Sequence, residues 1–292
     1  MPGLKDVKDQ ISGVKKTAQI TKAMNMVASA KLRGAQEKME SFRPYTEKFA
    51  EAMQDLSGGM EGNDLPLMAV RDVKTVEIVV VTSDRGLCGS FNANIVKTAE
   101  KLAKKYEAEG TNVSFVTIGR KGYQALRKTG KVRLSYNDIM GNFQMYNARE
   151  ISQGITEAFL NEESDRVNIV YGKFHSVAVQ KPEVEELLPI KAVEGKETAA
   201  LSAGPGGAYI YEPDPAEIME ALLPLYLNVQ VYHAMLEVGA SEHAARMAAM
   251  DKATNACKDI IKDLTQLYNK ARQAAVTNEL MDIVGGAEAL KG

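Results

Sequence analysis

From Leu4, alternating steps of three and four residues land on Leu4, Val7, Ile11, Val14, Ala18, Thr21, Asn25, Ala28, Leu32, Ala35, Met39 and Phe42, and ten of these twelve are apolar. The pattern resumes after Pro44 as Phe49, Met53 and Leu56. A seam sustained over this many heptads predicts a coiled coil rather than the one-sided stripe of a surface helix. Thr21 and Asn25 put polar groups into the seam, and Ala18 and Ala28 thin it. Glycine suits a helix C-cap, so the first helix is expected to stop at Gly58-Gly59. A helix over residues 3–57 is a rod of roughly 80 Å at the α-helical rise.

The other end of the chain repeats the idea. Glu212-Pro-Asp-Pro is a start signal, with Asp214 as the N-cap and Pro215 as the first helical residue. Further on, Cys257, Ile260, Leu264, Leu267, Ala271, Ala274, Asn278 and Met281 follow three-four spacing, and the helix is expected to end near Gly285-Gly286. Two long heptad helices at opposite ends of one chain pair most simply as an antiparallel coiled coil.

The middle follows a different period. Val76–Thr82 is an apolar run of buried-strand type, followed by a glycine loop and a helical stretch from Asn92 to Lys105. Val113–Ile118 reads as a second strand, with a helix around Tyr123–Lys128 after it, and Ile151–Leu160 reads as a further helix. Arg166–Tyr171 and His175–Gln180 read as strands, and residues 181–208 as strand ends and loop. Strands alternating with helices at this spacing predict an open, mostly parallel, Rossmann-like α/β domain. The expected organisation is a coiled-coil helix over 1–58, an α/β domain over 74–208 and a second coiled-coil helix over 209–292.

Charge adds direction. The net charge of −2 hides a split: residues 1–38 hold eight Lys/Arg against three Asp/Glu, and residues 246–273 hold six against three. The intervening 39–245 carry a net −8. Basic ends around an acidic middle point to an acidic partner for the two terminal helices. No apolar run approaches a membrane span; the nearest, Ala221–Leu227, contains Pro224. The charged N-terminal stretch is unlike a signal peptide, so a cytoplasmic location is expected. Cys88 and Cys257 form no spaced framework, and neither lies at ligand spacing from His175, His233 or His243, which argues against a disulfide scaffold and a zinc site.

The loop Ser83-Asp-Arg-Gly-Leu-Cys-Gly-Ser90 follows the first strand, where a doubly wound fold binds phosphate. Gly86 and Gly89 give only G-x-x-G, however, and the phosphate-cradling G-x-x-x-x-G-K-[ST] occurs nowhere. Gly86-Leu-Cys88-Gly-Ser90 falls short of a nucleophile elbow because Ser90 stands at the second glycine position. A tight turn over a small buried thiol is the preferred reading of Cys88. No catalytic residue, cofactor site or metal site is assigned, and no nucleic-acid partner is expected.

Three segments carry a family resemblance. Ile20–Lys31 (ITKAMNMVASAK) resembles the N-terminal helix motif of the gamma subunits of F-type ATP synthases. Ser83–Gly89 (SDRGLCG) resembles their central loop, and Ala240–Met250 through Tyr268–Gln273 to Val276–Ala287 resembles their C-terminal signature. The resemblance covers the chain in order, and it implies a rotor shaft that makes no bond itself. Its coiled coil would turn inside a hexamer of alpha and beta subunits, with the epsilon subunit and the c ring at its foot and membrane association only through that ring. The resemblance further places Met24 nearest the beta-subunit lever loops. It makes Arg272, Gln273, Thr277 and Glu279 polar contacts with the beta catch region, and Tyr209 and Glu212 contacts with the c ring. A Met directly before the helix, with no transit-type leader, favours a bacterial source and the cytoplasmic face of the plasma membrane. The residues by themselves leave open a non-rotary coiled-coil adaptor with an α/β head, and a nicotinamide-dependent enzyme built on the central sheet.

Overall fold

The computed structural model describes residues 4–57, 65–191 and 215–289. The elements are α1 (Leu4–Ser57), β1 (Thr75–Val81), α2 (Phe91–Ala108), β2 (Asn112–Ile118), α3 (Arg120–Leu126), β3 (Val132–Tyr136), α4 (Met145–Leu160), β4 (Arg166–Phe174), β5 (Gln180–Leu188) and α5 (Pro215–Ala289). They form two compact units. One is made by α1 up to Ser29 with α5 from Arg246, the other by the described residues between Ala30 and Ala245.

In the first unit the two helices bury one stripe each. Every predicted α1 seam position from Leu4 to Ala28 is buried or half-buried, while the residues between are mostly exposed. The polar seam residues are satisfied across the seam. Thr21 and Thr254 hydroxyls lie 2.7 Å apart, and Asn25 Nδ2 donates to the Met247 carbonyl at 2.8 Å. Counting outward from Thr21–Thr254 in antiparallel order matches Asn25 with Met250, Ala18 with Cys257, Val14 with Ile261, Ile11 with Leu264, Val7 with Tyr268 and Leu4 with Ala271. All of these α5 residues are buried or half-buried. The α5 seam therefore corrects the sequence reading at alternate layers: Ile261, Tyr268 and Ala275 are the less exposed residues, not Ile260, Leu267 and Ala274. Each disputed layer offers two adjacent apolar residues, so periodicity alone allowed either. Asn278 and Met281, also placed in the seam, are exposed. The helix also runs through Gly285-Gly286 to Ala289, since glycine only weakens a helix, by about 1 kcal/mol against alanine, and need not end it.

The second unit is built on a five-stranded sheet in the order β3-β2-β1-β4-β5. β1 pairs in parallel with β2 and β4, and β2 with β3, while β5 runs antiparallel to β4. The apolar run of β1 is buried because neighbouring strands flank it on both edges and helices cover its faces. Two departures from the sequence reading stand out. His175–Gln180, read as a strand, is mainly the turn between β4 and β5, with His175 and Ser176 N–H donating to the Val179 carbonyl. The strand proper is β5, inside the region read as strand ends and loop, because Pro182 and the glutamates of an edge strand mask its pattern. β3 was not foreseen, and its alternation of Val, Leu and Tyr with polar residues spans only five residues.

α1 passes through Pro44 and α5 starts at Pro215 as expected, whereas Gly58-Gly59 and Asp214 lie outside the described residues. Within this unit α1 and α5 meet through aromatic rings, Phe42 against Tyr232 at 5.0 Å and Phe49 against Tyr226 at 6.2 Å. A buried carboxylate on α5, Glu237, accepts the Phe174 N–H at 2.7 Å and so ties the helix to the end of β4. The sheet interior holds a second one: Glu77, fully buried on β1, takes a bidentate bond from Arg133, with Nε at 2.6 Å and Nη2 at 2.9 Å. Arg133 stands on β3 and reaches past β2, where the residue in register with Glu77 is the small Ser114. The carboxylate raises the Arg133 pKa, chiefly through that hydrogen bond.

Candidate functional site

Two places deserve the name of site: the surface of the paired helices, and the carboxyl edge of the sheet.

At the sheet edge, parallel strands and their following loops create the crevice in which doubly wound folds bind nucleotides, at the point where strand order reverses. Here that point lies between β1 and β4, and the chain fills it. Phe91, the first residue of α2, packs so tightly on Gly172 of β4 that a Cβ at Gly172 would come within 2.4 Å of its ring. Asn92 follows. Its Oδ1 accepts the Ser83 N–H at 3.0 Å, and its Nδ2 donates to Ser83 Oγ at 2.8 Å and to Cys88 Sγ at 3.2 Å. Cys88 is buried beneath this turn, and Leu87 and Gly89 adopt left-handed φ values of 63° and 61°. The Asp84 carboxylate takes three backbone N–H groups, those of Arg120, Asp138 and Met140, each at 2.9 Å. The Ser83 N–H and hydroxyl of this loop are thus engaged by Asn92, and the Asp84 carboxylate by N–H groups of neighbouring segments. Among the described residues no group of three His, Cys, Asp or Glu is placed to hold a metal ion. Asp84, Phe91 and Gly172 were not singled out from the sequence; Asp84 lay in a loop whose glycines drew the attention, and Gly172 carries no signal apart from its partner.

The helix-surface residues fall at two levels of the first unit. Met24 is half-buried beside the seam residue Asn25, and Ile20 and Val27 on its flanks are 60% and 57% exposed. Arg272, Gln273, Thr277 and Glu279 are all exposed on α5, and the Thr277 hydroxyl donates to the Gln273 carbonyl at 2.9 Å. In the register set by Thr21–Thr254, Met24 lies level with residue 251, so the four are roughly 30 Å or more further along α5. They are two separate surfaces. Beyond Ala275 every described α5 side chain is exposed, including Leu280, Met281, Ile283 and Val284. Tyr209 and Glu212 lie outside the described residues. No described helix is long and apolar enough to cross a membrane.

Fold and surface define a class: an α/β protein with a filled nucleotide crevice whose two terminal helices form an antiparallel coiled coil. Comparison with known proteins narrows it. The family model described as ATP synthase matches residues 3–290. The chain is 66% identical over 291 residues to the ATP synthase gamma chain of Desulfotalea psychrophila, covering all of both chains. It is 54% identical over 294 residues to that of Nitratidesulfovibrio vulgaris, again covering both completely. Among solved structures, a chain of the central stalk and c-ring of the Tetrahymena thermophila mitochondrial ATP synthase is 25% identical, with a TM-score of 0.61 over 80% of this chain and 99% of that one. A chain of the Euglena gracilis mitochondrial ATP synthase rotor, 20% identical, shares the fold with a TM-score of 0.68 over 94% of this chain and 98% of that one. The chain belongs to the ATP synthase gamma chain family.

Proposed function

We propose that this chain is the central rotor shaft of a bacterial F-type ATP synthase, coupling proton-driven rotation of the c ring to ATP synthesis on the beta subunits. It is not itself a catalyst. The observation that carries this, beside full-length family membership, is the end of α5. A helix with Val276, Leu280, Met281, Ile283 and Val284 all at least half exposed is left without an apolar cover there by the described residues. Such a surface is stabilised by a protein that surrounds it, and an alpha–beta hexamer closed around the coiled coil does so. The basic excess of 1–38 and 246–273 favours acidic segments on that partner. The close packing of Phe91 on Gly172 at the switch point supports the non-catalytic reading.

In this reading the shaft works by differential contact. Its helices present a different face to each beta subunit in each orientation, so each catalytic site is biased in turn toward binding, closure or release. Met24 meets the beta lever loops, and Arg272, Gln273, Thr277 and Glu279 meet the catch region in some orientations only. Tyr209 and Glu212 contact the c ring, the epsilon subunit sits beside the foot, and the complex is peripheral on the cytoplasmic face of the membrane. Co-expression with the alpha and beta subunits of a close bacterial relative tests this. The expected outcome is a complex that hydrolyses ATP, while the purified chain alone does not. Failure of the chain to co-purify with either subunit overturns it.

A further inference from the structure

The carboxyl edge of the sheet already holds a bound anion, and the anion is part of the chain. Asp84 Oδ1 accepts the N–H groups of Arg120 and Asp138, and Oδ2 accepts that of Met140. The donors belong to two segments distant in sequence from Asp84: the first residue of α3, just after β2, and the connection from β3 to α4. The Arg120 guanidinium pairs with the Asp138 carboxylate and holds those segments together. Several backbone N–H groups converging on one set of oxygens is the arrangement by which loops bind oxyanions. Hydrogen bonds to an ionised acceptor are roughly twice as strong as neutral ones.

The loop that Asp84 anchors is under tension. Leu87 is held at φ 63° with its side chain 63% exposed, a left-handed conformation that a branched L-residue adopts only when its surroundings impose it. The anchors around it include the Asn92 amide of α2, the Asp84 carboxylate, the Ser83 hydroxyl donating to the Arg85 carbonyl, and the Lys121 N–H donating to the Ser83 carbonyl.

We propose that Asp84 is an internal ligand: its carboxylate occupies an oxyanion cradle at the carboxyl edge of the sheet and latches the Ser83–Gly89 loop to the ends of β2 and β3. Once the side chain is removed, the cradle takes a small free carboxylate in its place. This assignment does not depend on the rotor reading, because it concerns the folded chain alone.

The buried Cys88 thiol reports on the latch, since it becomes reactive only when the loop opens. The experiment uses the full-length chain carrying Cys257→Ala, which leaves Cys88 as the single thiol. Its rate of reaction with an aromatic disulfide reagent is measured with and without Asp84→Gly. The variant is expected to react at least about tenfold faster, because three N–H groups lose their acceptor. Formate at about 0.1 M is expected to slow it to within about threefold of the parent, whereas chloride at equal concentration, which screens equally, does not. A rate within about twofold of the parent, or an acceleration that formate and chloride affect alike, overturns the proposal. Should circular dichroism show Asp84→Gly unfolded, Asp84→Asn decides. Its amide fills the cradle but turns an N–H₂ toward the donors, so faster thiol reaction without a formate effect is expected, and an unchanged rate overturns the proposal.

Discussion

The helix pair and the sheet both bury polar side chains, but they do so at different cost and for different returns. In the seam, Thr21 meets Thr254 and Asn25 meets a backbone carbonyl, so each group is neutral, and the two threonines have a fallback. Thr21 Oγ1 also lies 3.1 Å from the Ala18 carbonyl, and Thr254 Oγ1 lies 2.8 Å from that of Met250. In the sheet, Glu77 is a fully buried carboxylate on the central strand, and among the described residues its side-chain hydrogen-bond partner is Arg133. A neutral pair with fallbacks tolerates loss of one member; a buried charge does not. In this chain the helix pair is forgiving and the sheet stringent.

The sharpest way to break that contrast is Arg133→Ala. It leaves Glu77 buried and uncompensated, and the expected destabilisation is about 3 to 5 kcal/mol by urea denaturation of the whole chain. Replacing both partners, with Glu77→Leu and Arg133→Met, is expected to recover most of that loss. If Arg133→Ala costs less than about 1 kcal/mol, the pair is not what holds β3 to β1. The same measurement on Thr254→Val gives the other side of the comparison, about 0.5 to 1 kcal/mol, since Thr21 retains a carbonyl to bond. A cost near that of Arg133→Ala would mean that the seam has no such tolerance.

These two regions also differed in how far the sequence revealed them. The α1 seam was legible because its first heptads, from Leu4 to Val14, stand as a single apolar stripe among mostly polar neighbours, which fixes the phase for the rest. On α5 the same reasoning slipped by one residue at Ile260, Leu267 and Ala274, because Ile261, Tyr268 and Ala275 stand next to them and only the partner helix chooses between the two stripes. The unused stripe, equally apolar at these layers, remains exposed. The parallel core of the sheet was legible from its apolar runs, but the fifth strand was hidden by its glutamates, whose partners are cross-strand lysine and arginine: Lys173 with Glu183 and Arg166 with Glu186. The filled crevice could not be read at all. That Phe91 stands on Gly172, or that Asp84 gathers amides from two other loops, depends on tertiary proximity and leaves no local pattern.

Acid separates the regions more gently. His233 lies against α5's Glu237, β4's Lys173, α1's Arg43 and β5's Glu183, and burial is the main force pushing its pKa below the usual 6.5, with the two cations adding to it and the glutamates opposing. The folded state therefore binds this proton less readily than the unfolded chain. The stability contributed by neutral His233 is complete above the unfolded pKa and is lost as pH falls from about 6.5 through the lower folded value. Comparing the urea midpoint of the parent and His233→Gln from pH 8 to pH 5 should show the parent losing more. Parallel curves would remove His233 from the account.

The smallest expected effect on stability is also the most informative about function. Arg272 is exposed on α5, and Thr277 is the member of the C-terminal cluster whose hydroxyl spends its bond inside the helix, on Gln273. Arg272 is exposed and makes no ion pair among the described residues, so Arg272→Ala should change the unfolding free energy from urea denaturation by less than about half a kcal/mol. If the guanidinium bonds a beta subunit in only some orientations of the shaft, its removal raises the energy of those orientations alone. The alpha–beta complex then still assembles while its ATP hydrolysis rate falls, a separation that lost folding cannot produce. Gln273→Ala serves as the neighbour control, because its backbone carbonyl, which holds Thr277, survives the substitution. Unaltered hydrolysis in both variants, with normal assembly, returns the cluster to ordinary solvated helix and leaves the apolar end of α5 as the surface that the hexamer grips.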